Sequence, residues 1–415
     1  MSRGHDAAVG PVAAGERIEV LDALRGFALL LIFTFNVFIY SGSDFLGARA
    51  AELSTYGLDE IVRFLRRMLV ENKGLSLFSL MFGLGFGIMA RRAAVRGVAF
   101  VPLFLRRQAI LLLLGLAHGI LLWGGDILVV YAVLSLLIVP FHRASPRVIA
   151  IVAVLVYLLP IPLYAASLSL DPPPPHAFQL AAEWTGEPNL FGLWMNGWAG
   201  DDVVGLIKGN LAFLVFWWTM VVANLYWPDI LGMFLIGVFI VRSGWLDRLA
   251  TEPKALSGRW ILGAGVLGLG GNFAFARGMQ SDVYYPPSVA GLWMTVVQYL
   301  TVPMLCFFYA AGLVWLYHHG AARVLRAVAD VGRMTLSLYV AQSLLCLVVF
   351  YGVGLGYFLK VGAAVAVAIA LALYGLEMLF ARWWWSRGFA FGPLEWIWRQ
   401  ATYGRRLPLR ASRET

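Results

Sequence analysis

The chain has 415 residues, is 60% hydrophobic and only 13% charged, and carries a formal net charge of +9. Soluble globular chains are about 25% charged, so this composition excludes an ordinary soluble enzyme and points to a polytopic membrane protein. The arginines are scattered between apolar runs, which reads as cytoplasmic loop charge under the positive-inside rule and not as a nucleic-acid groove.

The apolar runs are long and lack the period-2 alternation of barrel strands. They predict an all-α, polytopic integral membrane helical bundle of roughly 10–11 transmembrane helices. Met1–Gly15 is rich in Gly and Ala and is expected to be disordered. Arg17–Val37 is too long for a signal-peptide core and carries Asp22 and Arg25 in its first turns, so it is expected to remain as the first span. Three positions apart, Asp22 and Arg25 share a helix face. They read either as a self-neutralising pair at the membrane boundary or as a ligand-facing pair at the mouth of a cavity. Asn36 sits toward the far end of the same run.

Asp44–Val70 reads as an external loop with an interfacial helix, and Gly74–Ala90 as the second span. Gly83 and Gly87 have the GxxxG spacing that lets helices approach closely. Arg91, Arg92, Arg96, Arg106 and Arg107 follow with no acidic residue among them and mark the cytoplasmic side.

Gln108–Phe141 reads as a membrane hairpin turned at Gly124-Gly125. His118 lies inside its first helix, Asp126 just past the turn, and Tyr131 behind it. An ionisable residue at membrane depth costs several kcal/mol unless paired or hydrated, which makes it a functional candidate by default. The bland alternative is a histidine that hydrogen-bonds a neighbouring helix and only packs. His118 precedes the turn by about six residues, or ~9 Å, which puts it in the outer half of the membrane with Asp126 near the rim.

Ile149–Leu168 is a further span. Asp171–Asn210, with its proline run, acids and tryptophans, reads as an external domain or cap. Leu211–Tyr226 and Ile230–Val241 are apolar, and Arg242–Lys254 looks cytoplasmic. Trp260–Phe275, Gly291–Leu316, Met334–Tyr351 and Val361–Phe380 complete the spans, with Asp282–Pro287 external and His318–Arg333 cytoplasmic. The odd number of apolar segments sets the two termini on opposite sides, whereas the charges set both inside. The expected resolution is a re-entrant or half-length helix within Gly200–Val241, or one miscounted segment.

GAGVLG at Gly263–Gly268 has the spacing of a dinucleotide fingerprint, but it lies inside a membrane run with no strand before it, so it reads as helix packing. Cys306 and Cys346 lie in apolar spans and read as small buried hydrophobes, and His318-His319 as a solvated loop, so no metal site is expected. Asn272, Arg277, Gln298, Gln342 and Glu377 are polar groups at depth; Glu377 needs a partner. Arg382–Arg399, with five tryptophans among arginines, reads as an amphipathic segment lying on the inner leaflet.

Four ordered stretches, RIEVLDALRGFALLLIFTFNV, GLAHGILLWGGDILVVYAVL, GRMTLSLYVAQSLLCLVVFYGVGLG and FGPLEWIWRQATYG, resemble the YeiB-like family of bacterial inner-membrane proteins. The N-terminal part is similar, more weakly, to the transmembrane acyltransferase superfamily, which includes the lysosomal heparan-sulfate acetyltransferase. The resemblance divides the chain into an acyltransferase-like bundle at 1–168, an external cap at 169–210, a YeiB-like bundle at 211–381 and a cytoplasmic tail at 382–415. It implies transfer of an acyl group from cytoplasmic acyl-CoA, such as acetyl-CoA, to a glycan, lipid or small metabolite at the outer face of the inner membrane. His118 would then act as general base or acyl carrier, with Asp126 orienting it. Arg91, Arg92, Arg106 and Arg107 would hold the CoA phosphates. Asp22, Arg25, Asn36, Tyr131 and Gln342 complete the candidate binding set. This account needs a polar passage from the arginine side to His118. Membrane lipids are the expected surroundings, and a homo-oligomer is compatible with the sequence. The rival readings are a transporter or flippase and a structural or regulatory membrane component.

Overall fold

In a membrane, a chain satisfies its backbone N–H and C=O groups by closing them within helices. The computed structural model describes residues 19–53, 55–251, 258–279 and 286–410, and among these it has helices and no strand, only an isolated bridge between Phe389 and Arg410. Met1–Gly15, Arg17, the end of Arg242–Lys254 and most of Asp282–Pro287 lie outside the described residues.

The chain is an all-α polytopic membrane bundle. It begins with α1 (Glu19–Tyr40), α2 (Tyr56–Leu69), α3 (Lys73–Val95), α4 (Phe100–Leu121) and α5 (Leu128–Leu134), the last continued by a 3-10 turn to His142. Next come α6 (Pro146–Leu158), α7 (Pro160–Ser167), α8 (Ala177–Thr185), α9 (Leu190–Ala199), α10 (Val203–Ala223), α11 (Tyr226–Arg242) and α12 (Trp245–Thr251). The rest is α13 (Gly258–Gly278), α14 (Val289–Leu316), α15 (Ala322–Gly332), α16 (Thr335–Phe350), α17 (Ala363–Ser386) and α18 (Pro393–Tyr403).

Among the described residues, seven stretches are long and apolar enough to cross a membrane by themselves, fewer than the apolar runs suggest. The reason is that some runs fold as broken or short helices. The α5 pass continues as a 3-10 segment containing Pro140, and α11 and α16 have only 17 and 16 residues.

The bundle has a basic end, marked by Arg91, Arg92 and Arg107, and a far end, marked by the turn between α4 and α5. The Gly200–Val241 puzzle is resolved by α10. Its length suits a crossing, yet it stays at the far end. The Asn210 amide donates to Ile120 O, Leu214 and Asn210 abut Gly124, and the Trp217 indole donates to Asp126 O. The start of α1 and α18 therefore lie at the basic end: Asp22 and Arg25 line the same cavity as Arg107, and the Trp398 indole of α18 donates to Arg107 O.

Close approach between helices depends on glycines. Gly83 and Gly87 of α3 face Phe234 and Val241 of α11, and Gly237 of α11 returns the contact onto Leu80 and Leu84. In α13 the GAGVLG glycines Gly265 and Gly268 pack on Phe308 and Leu305 of α14. A side chain added at such a seam forces the helices apart, typically at ~1–3 kcal/mol. Gly237→Leu is therefore expected to lower stability by about that amount or more. Gly263→Leu, where an added Cβ meets nothing within 4 Å, is expected to leave it unchanged. Thermal unfolding of both variants in one detergent checks the contrast.

Candidate functional site

His118 lies in the last turn of α4, flanked by Gly115 and Gly119. The missing side chains on that face leave room for the chain after the turn to fold back. A Cβ at Gly115 would come within 3.0 Å of the Asp126 carboxylate. Asp126 Oδ1 consequently reaches His118 Nδ1 at 2.8 Å. Its Oδ2 accepts from Val129 N–H at 2.6 Å, at the start of α5, where an unpaired helix amide and the helix dipole both favour a carboxylate.

A carboxylate can only accept, so Nδ1–H is the donor and Nε2 carries the free lone pair. That lone pair accepts from the Ser343 hydroxyl of α16 at 2.7 Å, and Ser343 Oγ accepts in turn from the Tyr40 hydroxyl at 2.6 Å. With the imidazole neutral, the donors run one way, Tyr40 to Ser343 to His118 to Asp126; Tyr339 O, 3.4 Å from Ser343 Oγ, is the other acceptor within reach of the serine hydroxyl. The chain is sealed, with His118 3% exposed and Asp126 and Ser343 at 0%. Tyr339, one turn before Ser343, covers it. Its ring centroid is 5.0 Å from the imidazole, and its hydroxyl accepts from Ile127 N–H at 3.3 Å.

A cavity of about 530 Å³ opens from the basic end toward this chain. Its outer wall carries Arg25, Arg91, Arg92, Arg107, Arg333 and Arg399; its inner wall is apolar, with Phe78, Phe82, Phe86 and Leu111; its floor includes Ile127 and Tyr339. Two carboxylates share the wall, and both are engaged. Asp22 pairs with Arg25 at 2.7 Å, and Glu395 accepts from Leu336 N–H at 2.7 Å and Ser337 N–H at 3.1 Å. The Arg107 guanidinium lies 3.6 Å over the Trp398 ring. Burial lowers the pKa of Arg399 below the ordinary arginine range, more than the neighbouring Glu395 and Asp22 restore, the expected cost of desolvating a cation. Both amide atoms of Gln108, on the same wall, are buried without a partner. A basic rim, an apolar interior and an unsatisfied amide are the features of a site for an amphiphilic anion.

A second cavity of about 80 Å³ lies toward the far end, lined in part by Asn36, Asn72, Trp123 and Trp217. Ile32, Ile127 and Tyr339 border both cavities, so one phenol ring stands where the two spaces meet.

The residues singled out in the sequence divide accordingly. Asp22, Arg25, Arg91, Arg92, Arg107 and Tyr131 line the large cavity, Tyr131 with its hydroxyl 2.7 Å from Ser79 Oγ. Asn36 borders the small one. Arg106 instead packs against Gly404. Gln342 lies inside the bundle, donating to Glu377 at 2.8 Å. Asp126 is not at an open rim, because α10 covers the turn. His118 is not on a cavity wall, because Tyr339 intervenes. The C-terminal tail does not simply lie flat on a surface: α18 turns inward and contributes Glu395, Trp398 and Arg399 to the cavity. Ser343, Tyr339, Tyr40 and Gln108 were not foreseen. Serines and tyrosines in apolar runs carry little signal by themselves, although Tyr339 and Ser343 are spaced to share one face of α16.

A family described as "Protein of unknown function (DUF418)" matches residues 240–405. The chain is 32% identical over 404 residues to the "Uncharacterized protein YxaH" of Bacillus subtilis, covering 95% of this chain and 96% of that one. It is 29% identical over 403 residues to the "Uncharacterized protein YeiB" of Escherichia coli, covering 93% and 96%. A third relative, the "Uncharacterized 39.9 kDa protein in amylase 3'region" of Bacillus acidopullulyticus, is 27% identical over 97% of this chain and 99% of its own length. No solved structure matches the chain.

Glu395 ties α18 to the first turn of α16 and so holds one wall of the cavity. Glu395→Ala leaves the buried Leu336 amide and the half-buried Ser337 amide without an acceptor and is expected to cost ~1–3 kcal/mol. Thermal unfolding measures the loss, and Glu395→Gln, which keeps one acceptor oxygen, is expected to recover part of it.

Proposed function

The chain belongs to the YeiB-like family, and from that premise we propose that it is an integral membrane acyltransferase of the bacterial plasma membrane. The observation that carries the reading is the amphiphilic cavity. It runs from six arginines at the basic end to Tyr339, the ring that covers His118. Under the positive-inside rule the basic end would face the cytoplasm, with α18 and the mouth of the cavity on the side where acyl-CoA is found.

Acyl-CoA, with acetyl-CoA as the simplest donor, suits each part of that space. Arg107, Arg399 and their neighbours offer charge-assisted hydrogen bonds to phosphates. The apolar depth accepts the acyl end. His118, oriented by Asp126, supplies a base of suitable type beyond Tyr339. An acceptor hydroxyl or amine arriving from the far end would approach the same ring through the small cavity. The sealed imidazole adds one requirement: the Tyr339 ring must move for chemistry to occur.

A second reading, transport of a small metabolite or lipid, draws support from the pair of cavities that reach Tyr339 from opposite ends. It predicts flux across proteoliposomes without CoA.

The test is binding and thiol release with purified protein and radiolabelled acetyl-CoA. Removing both Arg107 and Arg399 as Ala is expected to weaken CoA binding by ~10²-fold or more, the loss of two charge-assisted contacts. Wild-type protein that neither binds CoA nor releases thiol, across short and long acyl chains, would remove the reading.

A further inference from the structure

A general base needs a lone pair directed at the proton it removes. The Nε2 lone pair of His118 is already committed, 2.7 Å from the Ser343 hydroxyl, while Nδ1 is fixed on Asp126 at 2.8 Å. The proton that His118 is placed to take is therefore the one on Ser343. Nucleophile, base and orienting carboxylate, each within hydrogen-bond reach of the next, form the arrangement that activates a serine toward acyl groups. It is recognised by geometry and not by chain order. Its three members come from α4, the turn after it and α16, and α16 places Ser343 225 positions from the histidine it contacts.

We infer that Ser343 is the catalytic nucleophile and carries the acyl group between two half-reactions. The inference rests on the acyl-transfer reading and adds a covalent step to it. In the first half, Ser343 Oγ attacks the thioester carbonyl carbon and its proton passes to His118 Nε2. The C–S bond then breaks, and the departing thiolate takes that proton from Nε2 and leaves as the free thiol. Ser343 now holds the acyl group as an ester. In the second half, the acceptor hydroxyl gives its proton to Nε2 as its oxygen attacks the ester carbonyl. The bond from the acyl carbon to Oγ breaks, and Oγ recovers the proton. Nothing else is consumed.

The surroundings suit a carrier. Tyr40 donates to Ser343 Oγ at 2.6 Å, which favours negative charge on that oxygen as it is released. Tyr339 borders the cavity from each end and lies one helical turn before Ser343, closing it off from both. The tyrosine hydroxyl is held by a single long bond, 3.3 Å from Ile127 N, so the ring is weakly tethered where it must swing. Two substrates that arrive from opposite ends never have to meet if the acyl group waits on a residue between them.

The experiment uses the full-length protein in detergent with radiolabelled acetyl-CoA and no acceptor. A rapid burst of about one thiol per protein is expected, with one acetyl group mapping to the peptide that contains Ser343 after acid quench. Ser343→Ala should bind acetyl-CoA as wild type does and melt somewhat lower, because the Tyr40 hydroxyl and His118 Nε2 lose their buried partner, yet it should lose the burst, the label and ~10³-fold or more of turnover. Ser343→Cys should trap the acetyl group as a thioester that neutral hydroxylamine removes readily. Label on His118, thiol release with no acetyl retained on the protein, or wild-type turnover by Ser343→Ala would overturn the serine carrier and leave acyl transfer standing. Wild type without CoA binding or thiol release would overturn both.

Discussion

A carboxylate within a membrane protein must be matched by donors, because no water is at hand to do it. Asp126 meets that demand by turning back onto the helix it has just left. One oxygen goes to His118 and the other to the Val129 amide in the first turn of the following helix. Much of the surrounding architecture serves this fold-back. Gly115 and Gly119 clear the space, and the indole of Trp217 takes the Asp126 carbonyl, which pins α10 across the turn. The imidazole, fixed at one nitrogen, then dictates what its other nitrogen meets, and α16 presents Ser343 there. A helical hairpin that would be ordinary in an apolar bundle becomes a polar chain four residues long and shut away from solvent.

The two ends of the molecule are built on different principles. At the basic end, arginines outnumber carboxylates, and Arg107 and Arg333 stack on aromatic rings; of the carboxylates on the cavity wall, Glu395 ties α18 to α16, whereas Asp22 pairs with Arg25 within α1. At the far end, α8, α9 and α10 lay aromatic side chains over the bundle, with Trp194 and Trp198 fully buried. A charged open mouth at one end and a dense aromatic cover at the other give the bundle a direction. The polar chain sits between them, nearer the cover.

Composition alone made the fold class legible, since few arrangements accommodate so many apolar residues with so little charge. The His118–Asp126 pair was legible because each residue is costly where it stands, and that cost is a local property of the chain. The Asp22–Arg25 pair was legible from spacing, although its place on the cavity wall was not. Ser343 was not foreseen because a serine is cheap to bury and reports nothing until its partner's position is known. Gln342, its neighbour, stood among the candidates as a polar group at depth, but its amide is spent on Glu377. The topology failed to close for a related reason. Hydropathy measures what a helix is made of, whereas α10 is assigned to one end by the groups it touches. The tail was misread as a surface helix because tryptophan beside arginine has two uses, an interface belt and a stacked cavity wall, and only tertiary contact separates them.

The stacking of Trp398 on Arg107 joins α18 to a helix made much earlier, α4. A nascent chain can therefore insert the helices up to α17 before the cavity has the wall that α18 supplies. Until α18 docks, Glu395, Trp398 and Arg399 are missing from that wall. A chain cut before α18 would keep its earlier helices and lose this one face of the cavity.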